Sequence, residues 1–151
     1  MEVLASSGGS RVFFVKVSKG EKALEAVSKA AEKAGIVLGV VSAIGGFSEA
    51  TIGVFRAADT AYEAERVTAQ PGRALEVVSF SGNVLCASEG CKPHIHVVLA
   101  RSHIEIYAGH LIDAIVDPFL ELFIIEAPVN AEKAVKALEA RLKLKPRVET
   151  V

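Results

Sequence analysis

The sequence predicts an α+β fold: a mixed, mainly antiparallel sheet with two principal helices, forming one compact domain over residues 1–151. Three observations predict it. The chain has 151 residues, the length of one domain. Apolar residues make up 51%, enough for a core without staples, since a chain of this size buries roughly 70% of the surface it exposes when unfolded. Segments of strand character outnumber helical ones and several follow one another directly, which favours α+β over alternating strands and helices.

Residues 11–17 open the chain's regular structure. Val12, Phe13, Phe14, Val15 and Val17 are β-branched or aromatic, a strand signature, and Ser18-Lys19-Gly20 breaks it. From 21 to 34 the apolar positions change to helical spacing. Ala23, Leu24, Val27, Ala30, Ala31 and Ala34 share one face, and Gly35 sits where a terminating glycine belongs. Residues 36–44 are a short apolar run read as a buried strand. Gly45-Gly46 marks a turn or bulge, and 47–55 resumes as a strand. Residues 62–67 form a short strand before the Pro71-Gly72 turn. Residues 75–85 are a strand interrupted by Gly82. Residues 94–100 and 104–108 pair as a hairpin, and 119–127 is a strand that begins after Pro118. Asn130 is an N-cap for a helix over 131–142, with Ala131, Ala134, Val135, Leu138 and Leu142 on its apolar face. The core therefore spans about 11–127, and the polar tail from 143 frays.

Charge narrows the function classes. Net charge is −1 and the pI about 6.4, so the chain as a whole lacks the basic footprint of a free-standing nucleic-acid binder. Cys86 and Cys91 are too few for a disulfide framework; the expectation is two reduced thiols, with a disulfide or a metal role as alternatives. No basic segment followed by a long apolar run opens the chain, and no apolar stretch reaches the roughly 20 residues that span a bilayer, so the expected compartment is the cytoplasm. Trp is absent, Met occurs once, and Gln70, Asn83 and Asn130 are the only side-chain amides. That scarcity beside many Glu and Lys is the thermophile trend.

Three stretches carry a family resemblance. Residues 39–50, from Gly39 through Gly45-Gly46-Phe47 to Ala50, pair an apolar strand with a glycine-containing turn. Residues 72–82 contain Glu76-Val77-Val78-Ser79-Phe80-Ser81-Gly82. His94-Ile95-His96-Val97-Val98-Leu99-Ala100 is followed at fixed spacing by Gly109-His110-Leu111. With the opening strand and helix, these resemble the plant and prokaryote conserved (PPC) domain over about residues 11–127, and the HxH…GH element is the most specific part. Ala108 stands where the family has the first Gly of GGH, and His103-Ile104 where a Gly-containing turn is usual. Ala74 and Leu75 separate Gly72-Arg73 from Glu76, so the partner-contacting Gly-Arg-Phe-Glu-like segment of plant members is not carried over. The Arg-Gly-Arg minor-groove segment of the plant proteins is also absent. The resemblance implies a homotrimer and a link to DNA through the plant relatives.

Alternation along a strand puts His94 and His96 on one face, about 6.6 Å apart. A hairpin turning about Ser102 sets His110 directly across from His94 on that face. Three imidazoles suit zinc and leave a fourth position for water; the alternative is three histidines satisfied in a polar interior or subunit interface. Cys91, three residues before His94, is a candidate fourth ligand, and His103 reads as a turn residue in solvent. Glu76 lies in an apolar strand and needs a partner if buried. It is the candidate to orient a histidine or act as a base, unless it is a strand-edge residue in solvent; Glu121 has a similar setting. There is no phosphate loop and no nucleophile elbow. The expected function is a homotrimeric binding or regulatory module with a weak or indirect relation to DNA, a possible protein partner and a histidine metal site. The alternative is a zinc-dependent enzyme built on the same cluster.

Overall fold

The computed structural model describes residues 9–138, 143 and 145–150. Its elements are β1 (Val12–Ser18), α1 (Ala23–Ala34), β2 (Leu38–Arg56), β3 (Ala61–Thr68), β4 (Leu75–Ala87), β5 (Gly90–Ala100), β6 (Ile106–Glu126), α2 (Ala131–Ala137) and β7 (Arg147–Thr150). The α+β expectation is overturned: among the described residues strands take 61% and helices 15%, so the fold is a mixed, sheet-dominated one with two short helices. The excess lies where the sequence suggested turns and loops.

Two long strands absorb most of it. Residues 36–44 and 47–55, expected as separate strands, are joined in β2. Gly45 lets the chain pass without breaking. Its φ is 143°, and a Cβ there would lie 2.3 Å from the Phe119 carbonyl oxygen. The expected strands at 104–108 and 119–127 likewise join through 109–118 to make β6. Register shifts against β2 break the two-residue alternation: the buried positions are Leu111, Ala114, Val116, Leu120, Leu122 and Ile124. A strand with bulges loses the period by which sequence reading finds strands.

The strands run in the order β1-β6-β5-β4-β2-β3-β7, and β2 also pairs with β6. Strands β2, β4, β5 and β6 therefore close on themselves. All neighbours are antiparallel except β3 and β7. One edge of β6 follows β2. The other is covered by β5 as far as His110 and by β1 from Phe119 onward. The turn into α1 fills the interval, where the Gly20 N–H donates to the Val116 carbonyl at 2.8 Å and the Val116 N–H to that of Glu21 at 2.9 Å. Helix α1 then lays Ala23, Val27 and Ala31, all fully buried, on β4, β5 and β6. Its small residues let the helix approach closely. The core inside the ring centres on Phe47 and Phe80, ring centroids 6.5 Å apart, with Leu99, Leu120 and Leu122. Each such side chain contributes about 1.5–3 kcal/mol by leaving water.

At the C-terminus, Asn130 caps α2 as expected, its side-chain oxygen accepting from the Lys133 N–H at 2.9 Å. The expected helix reached residue 142; residues 139–142 lie outside the described ones. The tail expected to fray pairs its residues 147–150 with β3 in parallel. Arg56 bridges to Asp59 and Glu149 there, and Arg147 reaches Asp59 at 3.5 Å, a charge network that sequence periodicity does not register.

Gly82 is the closest approach in the ring: a Cβ there would sit 1.9 Å from the His94 carbonyl oxygen. We expect Gly82→Val to force β4 and β5 apart and lower stability by about 1–3 kcal/mol, read from guanidinium unfolding. An unchanged midpoint and slope would contradict this packing.

Candidate metal centre

The β5–β6 hairpin presents the histidines. Ile95, Val97 and Leu99 point into the core, so strand alternation turns His94 and His96 to the outer face. The hairpin is not centred on Ser102. Ala100 and Ile106 are its last pair, the Arg101 N–H donates to the Glu105 carbonyl at 2.9 Å, and Ser102 Oγ accepts from the Glu105 N–H at 3.1 Å. This longer loop places His110 across from His96 instead of His94. The displacement is two residues, a full strand period, so His110 keeps its face; a slip of one would have turned it into the core.

The three rings converge. Centroid separations are 5.2 Å for His94–His96, 5.1 Å for His94–His110 and 5.5 Å for His96–His110, and one ligating atom from each lies within 4.8 Å of the others. His94 and His110 are half-buried and His96 is exposed. Burial, and then the neighbouring His94 and His96, push the His110 pKa down to about 4, so at neutral pH this ring is the uncharged imidazole that metals bind. Its Nδ1 is buried with no hydrogen-bond partner among the described residues. Around a tetrahedral zinc, ligand nitrogens stand about 3.3 Å apart, given bonds of 2.0–2.1 Å. The ligating atoms therefore need a contraction of up to about 1.5 Å, within reach of side-chain torsions. Donor type, charge state and an orphaned buried nitrogen all fit a divalent metal.

Tyr62 is the neighbour that strand reading missed. Its ring stacks on His110 at 4.6 Å with planes 10° apart. It arrives from β3, on the far side of β2, where Gly53 pairs with both Ala64 and His110. Gly53 carries no side chain to separate the two rings. Only the pairing of three strands reveals the contact; the sequence signal is a lone Tyr in a short strand.

The other candidates fall elsewhere. Glu76 is exposed and paired with Ala100, four residues beyond His96 on β5 and so roughly 13 Å along the strand; it is not in the histidine cluster. Glu121 lies in the β1–β6 ladder opposite Lys16, and His103 is exposed at the hairpin tip. The reduced-thiol expectation is corrected: Cys86 and Cys91 form a disulfide. Register is the reason, because the tight β4–β5 turn sets Cys86 directly across from Cys91, with Cα atoms 3.9 Å apart. The Cys91 sulfur is thereby committed and is not a fourth ligand.

A β-ring closed by one long strand, with an HxH pair and a distant GH on one outer face, defines a class of protein. The profile of the Plants and Prokaryotes Conserved (PCC) domain matches residues 4–128, and the chain belongs to that family. Among solved structures it is similar to a metal-containing protein from Archaeoglobus fulgidus, with a TM-score of 0.76 and 29% identity over 87% of this chain and 89% of that one. It is also similar to a plant- and prokaryote-conserved protein from Pyrococcus horikoshii, at TM-score 0.73 and 26% identity over 83% and 84% of the two chains. A candidate DNA-binding protein from Bacteroides thetaiotaomicron shares the fold at 22% identity and TM-score 0.69, over 83% and 85%. No curated protein matches the chain. Among the described residues, no helix is long and apolar enough to cross a membrane.

Two outcomes follow from the geometry. In metal-free protein, His110 should remain neutral as pH falls past the ordinary histidine value near 6.5 and take its proton only near pH 4. The unfolded chain protonates first, so this group lowers stability as pH falls from about 6.5 to 4. Histidine NMR titrations check the value; a His110 midpoint at 6.5 would refute it. Tyr62→Ala should free the His110 ring and weaken any uptake of a divalent metal by the cluster about threefold to tenfold, while Tyr62→Phe keeps the stack and the affinity.

Proposed function

We propose that this chain is a homotrimeric binding module of the PCC family that holds a zinc ion on His94, His96 and His110. The observation that carries the reading is the convergence of three ligating atoms within 4.8 Å, one of them on a ring with an orphaned buried nitrogen. The likeness to a metal-containing archaeal protein supports it. Bound zinc would supply Lewis acidity and an open position for water or a ligand. The residues around it favour binding over catalysis: Glu76, the candidate base, stands far along the strand, and His96 leaves the cluster open to solvent.

Self-association is supported by an exposed apolar stripe. Val12 and Phe14 on β1 pair with Ile125 and Phe123 on β6, and Val40 on β2 continues one row; Val12, Phe14 and Val40 are each more than half exposed. A stripe of this kind marks an interface. DNA is at most a weak partner of the chain by itself, since net charge −1 leaves little counterion release to drive binding.

Three measurements test the reading. Zinc content by elemental analysis should fall sharply in His94→Ala, His96→Ala and His110→Ala and stay unchanged in His103→Ala; a parent protein that takes up no zinc would remove the metal site. Light scattering should give a mass near three times the chain's 15.9 kDa, and Phe14→Glu combined with Phe123→Glu should shift it toward one. Duplex DNA should bind no tighter than the roughly 10⁻⁴–10⁻⁶ M of non-specific association at physiological salt; a nanomolar complex would reverse that conclusion.

A further inference from the structure

A second cleft lies at the tip of the β5–β6 hairpin, away from the histidines. It encloses about 540 Å³ and is lined by Arg73, Glu76, Ala100, Arg101, Ser102 and Ile106 among others. Glu76, Ala100 and Ile106 are neighbours in one cross-strand row on β4, β5 and β6. The small Ala100 makes the floor, and the two longer side chains rise on either side.

The charges on this cleft are unmatched. Among the described residues neither Arg73 nor Glu76 makes an ion pair, although they have opposite sign and line the same space. Arg101 is held from one side only, by Glu105 at 3.4 Å from its Nη1, and its Nε–H is buried with no acceptor among the described residues. A guanidinium offers a fork that a carboxylate fills. Ser102 Oγ accepts two backbone N–H groups, from Ile104 and Glu105, which leaves its hydroxyl proton to donate.

We propose that this cleft binds a free α-amino acid with an apolar side chain. The carboxylate meets Arg101, Arg73 and the Ser102 hydroxyl. The ammonium meets Glu76, and the side chain lies on Ala100 and Ile106. A plain anion would leave Glu76 repelling it, and a plain cation would leave two arginines doing so; a zwitterion satisfies both signs at once.

Calorimetric titration of the full chain with L-leucine, isovalerate (no ammonium) and isoamylamine (no carboxylate) tests this. Leucine should bind saturably and the other two at least about tenfold more weakly, each lacking one charge-assisted contact. Arg101→Ala and Arg73→Ala should each lose about tenfold for leucine, with circular dichroism confirming the fold. Glu76→Gln should weaken leucine while leaving isovalerate unchanged or improved. His94→Ala should bind leucine as the parent does, which separates this cleft from the histidine cluster. The proposal is overturned if leucine shows no saturable binding, if isovalerate binds as tightly as leucine, or if leucine affinity survives Arg101→Ala.

Discussion

The pairing of β6 along β2 is the constraint on which the other elements depend. It runs from Gly39 with Glu126 to Gly53 with His110 and converts an open sheet into a ring by joining the two ends of the β2-β4-β5-β6 series. With β2 holding one edge of β6, β5 and β1 divide the other, and α1 must enter at the gap between them. Glycine makes the ladder possible. Gly45 passes against the Phe119 carbonyl and Gly109 against that of Gly53, where a Cβ would lie 2.3 and 2.9 Å from the oxygen.

That closure also decides the electrostatics of the histidine cluster. His110 stands at the last rung of the β2–β6 ladder and also faces His96 across the hairpin. Burial there disfavours its charged form, and the two neighbouring imidazoles disfavour it further. Three imidazoles, one with a buried nitrogen lacking a partner among the described residues, gain little from one another and much from a shared cation. Tyr62 fixes the plane of one ring, and the disulfide between Cys86 and Cys91 ties β5, which carries the other two, to β4 at their shared turn.

The hairpin thus has two chemically different ends. Toward β4's Asn83 and Ser81 it carries imidazole nitrogen donors. Toward its tip it carries guanidinium and carboxylate groups around a small-residue floor. The exposed apolar stripe on β1 and β6 lies on another part of the sheet, where Phe14 packs on Phe123 with centroids 5.1 Å apart. Ion pairs on the remaining surface, such as Arg11 with Glu126 at 2.6 Å, are screened by solvent and add little to stability.

The sequence by itself determined the elements whose signals are local. Helix α1 followed from its spacing and the stop at Gly35, and the α2 cap from Asn130. The shared face of His94 and His96 followed from a two-residue period that holds wherever a strand forms. The face of His110 survived an error in the turn because the error was a whole period. Only the tertiary structure decided what depends on non-local pairing. It merged two pairs of expected strands into β2 and β6, because bulges erase the period while distant partners still supply the hydrogen bonds. It set Cys86 against Cys91 and drew residues 147–150 onto β3. It brought Tyr62 from two strands away onto His110 and placed Glu76 beside Arg101 instead of the histidines. Register across a closed ring is fixed by the fit of all its strands together, and no single segment carries that information.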